Sequence, residues 1–147
     1  HYTRAQSIVL THWQQKNDEV KIAASIERLM LLPQNQRNPI YLLARAHNEY
    51  NLGLFAQSKS SLRSARDFWR LCPPQYQDNL ELEFQLISGY LKHKSALRLR
   101  SAAQAKEALS HFERVIQLSD KLKQKLPADA GKQKMMELNL LIGEVKQ

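Results

Sequence analysis

Five histidines, one cysteine and fourteen carboxylates are the side chains here that could act on a substrate or hold a metal ion. Metal ligands must converge within about 2 Å of one ion. The histidines His1, His12, His47, His93 and His111 are scattered, with no His-x3-His pair on any helical pattern and no Cys-x2-Cys. His12 and His47 fall at corresponding places in two helical stretches, which marks them as packing residues. A catalytic thiol needs a positioned base, and nothing in the sequence around Cys72 supplies one. With a single cysteine an internal disulfide is impossible, so Cys72 is read as a small half-buried residue at a helix end. Glu81 and Glu83 lie two apart, on different sides of a helix, and cannot act as an acid/base pair. Four unclustered glycines make no phosphate loop, and no Gly-x-Ser-x-Gly elbow is present. The expectation is a protein that is not an enzyme and takes no cofactor or metal.

Charge is the stronger signal. The net charge is +8 at pH 7, which favours an acidic partner. Lys92, Lys94, Arg98, Arg100 and Lys106 follow one another with no acidic residue between Glu83 and Glu107. Arg63, Arg66 and Arg70 line one side of a helical pattern. Lys121, Lys123, Lys125, Lys132 and Lys134 cluster near the end. Lys94, Arg98, Arg100 and Lys106 form the candidate basic patch. Its partner is an acidic peptide or protein, ahead of nucleic acid, because residues 92–106 contain no aromatic side chain for stacking on bases.

The elements that position these residues are helices. Leu, Ala, Gln, Lys and Arg dominate, glycine and proline are few, and long β-branched runs are absent. Seven helices are predicted. The first spans 3–16, with Ala5, Ile8, Val9, His12 and Trp13 on one face. The second spans 19–32, begins after Asn17-Asp18 and ends at Pro33. Asn38 caps the third, with Pro39 at its first position. Ile40, Leu43, Ala44, His47 and Tyr50 make its face, and Gly53 stops it. The fourth covers about 55–71, with Phe55, Ser58, Leu62, Ala65 and Trp69 together. The fifth covers about 75–93 on Tyr76, Leu80, Phe84, Ile87 and Leu91. Lys92 to Ala103 reads as a loop or as a backward extension of the sixth helix, which runs to Leu126 and stops at Pro127. The seventh covers 129–146 on Met135, Met136, Leu138, Leu141, Ile142 and Val145.

The stretch Glu107 to Leu118 organises this set. Its small Ala108, large Phe112 and Val115 repeat an order found in the second and fourth helices, at Ile22, Ile26, Leu29 and at Ser58, Leu62, Ala65. This resembles the second helix of a tetratricopeptide (TPR) repeat, with its Ala-x3-Phe element. The first-helix slots of a TPR would be filled by Ile8-Val9-x2-His12, Leu43-Ala44-x2-His47, Ile87-Ser88-x2-Leu91 and Ile142-Gly143. Gly53-Leu54-Phe55 resembles the turn inside a repeat, and Pro33 the proline that closes one. The spacing between first-helix slots grows along the chain beyond the ~34 residues of a TPR, and the family's Trp and Tyr positions are not kept. The resemblance therefore implies a divergent, long-repeat variant: an all-α solenoid of three antiparallel helix pairs and a further helix, one domain over residues 1–147.

The TPR resemblance also implies a function, that of a scaffold whose concave groove receives a peptide or partner protein. On that basis the partner-binding residues are Arg45, Asn48 and Glu49 on the third helix and Gln85 and Lys92 on the fifth, with Gly89 leaving room. The alternative is a sensing or nucleic-acid-associated arm of a bacterial regulator that uses the basic surface. Leu and Met on the seventh helix are expected to support self-association. No apolar run approaches the ~18 residues of a membrane span. A single cysteine suits a cytoplasmic or a periplasmic protein alike. The chain opens on His1 rather than Met and reads as a fragment of a longer protein.

Overall fold

The computed structural model describes residues 2–145; His1 and Lys146, the expected last residue of the seventh helix, lie outside them. Among the described residues there are seven α-helices: α1 (Tyr2–Gln15), α2 (Glu19–Met30), α3 (Pro39–Asn51), α4 (Phe55–Phe68), α5 (Gln77–Leu99), α6 (Ala102–Leu122) and α7 (Lys125–Val145). The all-α expectation holds. Where the sequence reads as one array, helix contacts divide the chain into two compact units, His1–Pro73 and Pro74–Gln147.

In the first unit the helix starts follow their caps. The Asp18 side chain accepts from the Lys21 amide at 3.2 Å, and Asn38 accepts from the Ile40 amide at 3.0 Å with Pro39 behind it. Gly53 takes φ +80° at the α3–α4 turn, where an L side chain would be strained. Leu10, Ile22, Ile26 and Leu29 form a core against Trp13, Met30, Tyr41 and Ala44. The face expected for α1 is rotated: Ile8 is 63% exposed and His12 is exposed, while Leu10 goes inside. The α3 face shifts likewise, with Leu42, Leu43 and Ala46 buried and Ile40 outside. α4 ends three residues short of expectation, and Trp69–Leu71 tighten into a 3-10 turn before Cys72.

In the second unit α6 runs antiparallel to α5. Four contacts fix the direction: Asp78 to Lys121, Glu81 to Arg114, Gln85 to His111 and Lys92 to Glu107. α7 runs parallel to α5, because His93 meets Glu137 and Arg100 meets Glu144. The core holds Leu82, Leu86, Ala96, Ala105, Ala108, Phe112, Val115, Leu118, Leu138 and Leu141. Residues 92–99 are neither loop nor part of α6; they are the last two turns of α5. Arg100 stops that helix in the left-handed region (φ 48°, ψ 49°), and Ser101 caps α6 by accepting from the Gln104 amide. The Ser-x-x-Gln order is a sequence signal for this boundary. Pro127 does not end α6. Lys123, at φ 57°, ends it, and Pro127 sits in the first turn of α7, where a missing N–H leaves no bond unmade.

Phe112 is the centre of this unit. It has no solvent exposure, and Gly89 of α5 and Gly131 of α7 both face it. A Cβ built on Gly89 would stand 2.8 Å from the ring. The close crossing therefore falls at Gly89, one residue after the Ser88 slot. Gly143, expected at another crossing, has nothing within 4 Å of its would-be Cβ; Gly131 has that place, with the ring at 3.7 Å. The second-helix slots behave differently: Ile22, Ile26, Leu29, Ser58, Leu62, Ala65, Ala108, Phe112 and Val115 are all buried. Ser58 fits there because its hydroxyl donates to the Ala46 carbonyl oxygen at 2.7 Å.

Candidate functional site

The residues expected to line a groove are instead joints between helices. Asn48 is 4% exposed, and its Nδ2 donates to the Glu19 backbone oxygen at 2.9 Å and to Glu19 Oε2 at 2.8 Å. Arg45 Nε donates to Ser61 Oγ at 3.0 Å, and the Ser61 hydroxyl donates to Glu49 Oε1. Asn48 ties α3 to α2, while Arg45 and Glu49 tie it to α4. Gln85 Oε1 accepts from His111 Nδ1 at 2.6 Å, and Lys92 Nζ lies 2.8 Å from Glu107, so both bridge α5 and α6. Gly89 leaves room for Phe112, not for a partner. A polar residue beside a core stripe serves a neighbouring helix as readily as a partner, and these five are used in the first way.

The basic residues are placed differently. Lys94, Arg98, Arg100 and Lys106 are all exposed. Arg100 reaches Glu144 at 2.9 Å, but Lys94, Arg98 and Lys106 make no ion pair among the described residues. Lys94, Leu97 and Arg98 fall three and four apart on α5 and share a face. Leu97 is 41% exposed there, and Leu99 is exposed nearby. This mixture of cations and apolar surface was not expected from the sequence; the signal was the alternation of leucine with basic residues from Lys94 to Arg100. Other cations are compensated: Lys121 pairs with Asp78 at 2.7 Å, Lys134 approaches Glu137 at 3.9 Å, and Arg114 grips Glu81 with two bonds of 2.9 and 3.0 Å.

A second cationic feature lies at the end of α4. Arg66, Asp67, Trp69 and Arg70 line an open depression, with the Arg66 guanidinium 4.6 Å from the Trp69 ring centroid. Arg63 and Arg70 are exposed on the same side. Trp69, expected in the core stripe of the fourth helix, is half-buried and lies under Arg66 instead.

The titratable groups are arranged for packing. His93 is buried, with Nε2 2.5 Å from Glu137 Oε2 and Nδ1 without a partner among the described residues. Burial lowers its pKa, with Lys134 and Lys94 acting the same way and Glu137 opposing. Burial also lowers the pKa of His111, assisted by Lys92 and opposed by Glu107. Both rings are therefore kept neutral near pH 7. Burial pushes the Cys72 thiol up, away from the nucleophilic thiolate. The Lys92 ammonium beside Glu107 holds that carboxyl below its usual range. No three histidine, cysteine or acidic side chains among the described residues come together in a way that could hold a metal ion. No helix among the described residues is long and apolar enough to cross a membrane.

Comparison with known proteins finds no matching family model, no matching curated protein and no matching solved structure.

Proposed function

We propose that this chain is a non-catalytic interaction module, built of TPR-like helix pairs, that binds an acidic protein or peptide. The observation that carries the reading is the cationic and apolar face of α5, where Lys94, Leu97 and Arg98 are exposed and the two cations make no ion pair among the described residues. Desolvating Leu97 supplies affinity, and the cations select an acidic partner and speed encounter. The fully buried second-helix slots support the TPR-like reading. The contact surface then lies on this face, because the expected groove residues already hold neighbouring helices.

A second reading is favoured by one observation. The Arg66, Trp69 and Arg70 depression combines guanidinium groups with a ring, the chemistry that single-stranded nucleic acid uses. The two readings separate in one experiment. Binding of an acidic amphipathic peptide and of a single-stranded oligonucleotide is measured across a salt series. The wild type is compared with a variant carrying Lys94→Glu, Arg98→Glu and Lys106→Glu. The protein reading expects peptide binding with a shallow salt slope, lost in the variant. Oligonucleotide binding with a steep salt slope that survives the variant and disappears with Trp69→Ala would replace it with the second reading.

A further inference from the structure

The outward stripe of α7 is complementary to itself. Lys132, Gln133, Met136, Leu140, Gly143 and Glu144 recur at helical spacing and are all exposed. Met136 is 70% and Leu140 is 69% exposed, although each adjoins a residue that packs inward, Met135 and Leu141. Gly143 has open space around it, so another backbone can approach closely there.

We propose that this stripe is a two-fold interface on which α7 of a second copy of this chain lies antiparallel. Turning the helix end for end about the level of Leu138 sets Met136 opposite Leu140 of the second copy and Leu140 opposite its Met136. The same rotation sets Lys132 opposite Glu144 and Gln133 opposite Gly143, and each pair occurs twice, as an isologous interface requires. A parallel pairing in register would instead bring Lys132 onto Lys132 and Glu144 onto Glu144. Charge complementarity therefore selects both the occupant and its direction. Glu144 already meets Arg100 of its own chain through Oε2, which leaves Oε1 for the second copy. The patch is small beside the ~800 Å² per partner of a stable complex, so the dimer is weak, forming in the high-micromolar range and above. This inference stands apart from the proposed function and uses a different face.

The test is sedimentation equilibrium on the whole chain, from low-micromolar to low-millimolar protein. Wild type is expected to pass from monomer to dimer. Leu140→Glu is expected to weaken the dimer at least tenfold, and the exposure of Leu140 lets the variant keep its fold, checked by circular dichroism. Lys132→Glu alone and Glu144→Lys alone are each expected to weaken association a few-fold, and the double variant to recover it. A wild type that stays monomeric at millimolar concentration would overturn the proposal. So would association indifferent to Leu140→Glu, which means another face pairs, or a double variant no better than the singles, which means another orientation. If the monomeric wild type instead captures a helix of a different protein through Leu140, the stripe belongs to that partner and the second copy is rejected.

Discussion

Gly89→Ala should destabilise the second unit, although alanine is the better helix former. Replacing glycine by alanine inside a helix ordinarily gains about 1 kcal/mol. Here the added methyl would lie 2.8, 2.9 and 3.1 Å from three ring carbons of Phe112. The ring has no solvent exposure and is packed in the core of its unit, so there is little room to retreat. Overpacking of this kind costs about 1–3 kcal/mol, and after the propensity gain a net loss of about 1 kcal/mol remains. Gly143→Ala is the control, because nothing lies within 4 Å of its Cβ and the gain should appear unopposed. The assay is urea denaturation followed by circular dichroism, with hydrogen exchange of the α5 and α6 amides to assign the loss to this unit. Combining Gly89→Ala with Phe112→Leu should cost less than the two separate losses together, since the methyl occupies space the ring vacates. Gly89→Ala as stable as wild type, or strict additivity in the double variant, would refute the packing argument.

Acidification should weaken the same unit. Burial lowers the pKa of His93 and of His111 below the ordinary histidine value of 6.5, so the unfolded chain binds protons first. The stabilisation is fully present above that value and is lost as pH falls through it toward the lower folded values. The urea midpoint should therefore fall between pH 7 and about pH 5, and the fall should shrink when both residues are changed to Gln. In the first unit, Asn48→Ala should cost about 1–3 kcal/mol by removing the buried Asn48 amide from its part-buried Glu19 acceptors. Urea denaturation read by Trp13 and Trp69 fluorescence would detect it, and an unchanged midpoint would show that the Asn48–Glu19 bonds add no stability.

The sequence discloses the helices well where a cap marks them. Asp18, Asn38-Pro39 and Gly53 each act as their residue types require. The faces are harder to assign because apolar residues come in adjacent runs. Ile8-Val9-Leu10, Leu42-Leu43, Met135-Met136 and Leu140-Leu141 each satisfy more than one helical stripe, and the neighbouring helix decides which member goes inside. The same ambiguity moved the close crossing from Ser88 to Gly89. The joints made by the expected groove residues are hidden for another reason: the partners of Arg45 and Asn48 lie far away in sequence, at Ser61 and Glu19, where periodicity carries no information. The exposure of Lys94, Arg98, Arg100 and Lys106 was legible because charge stays outside wherever the helix turns. That of the leucines among them was not, because exposed Leu97 looks like any other apolar position until its neighbours are in place.

The most direct test of the interaction-module account is a nuclease-treated pull-down from the source lysate, run in parallel with wild type and the Lys94→Glu, Arg98→Glu, Lys106→Glu variant. The account expects an acidic protein that is retained by the wild type after nuclease and moderate salt and is missing from the variant. Equal capture by both chains, or capture that vanishes with nuclease, would contradict it.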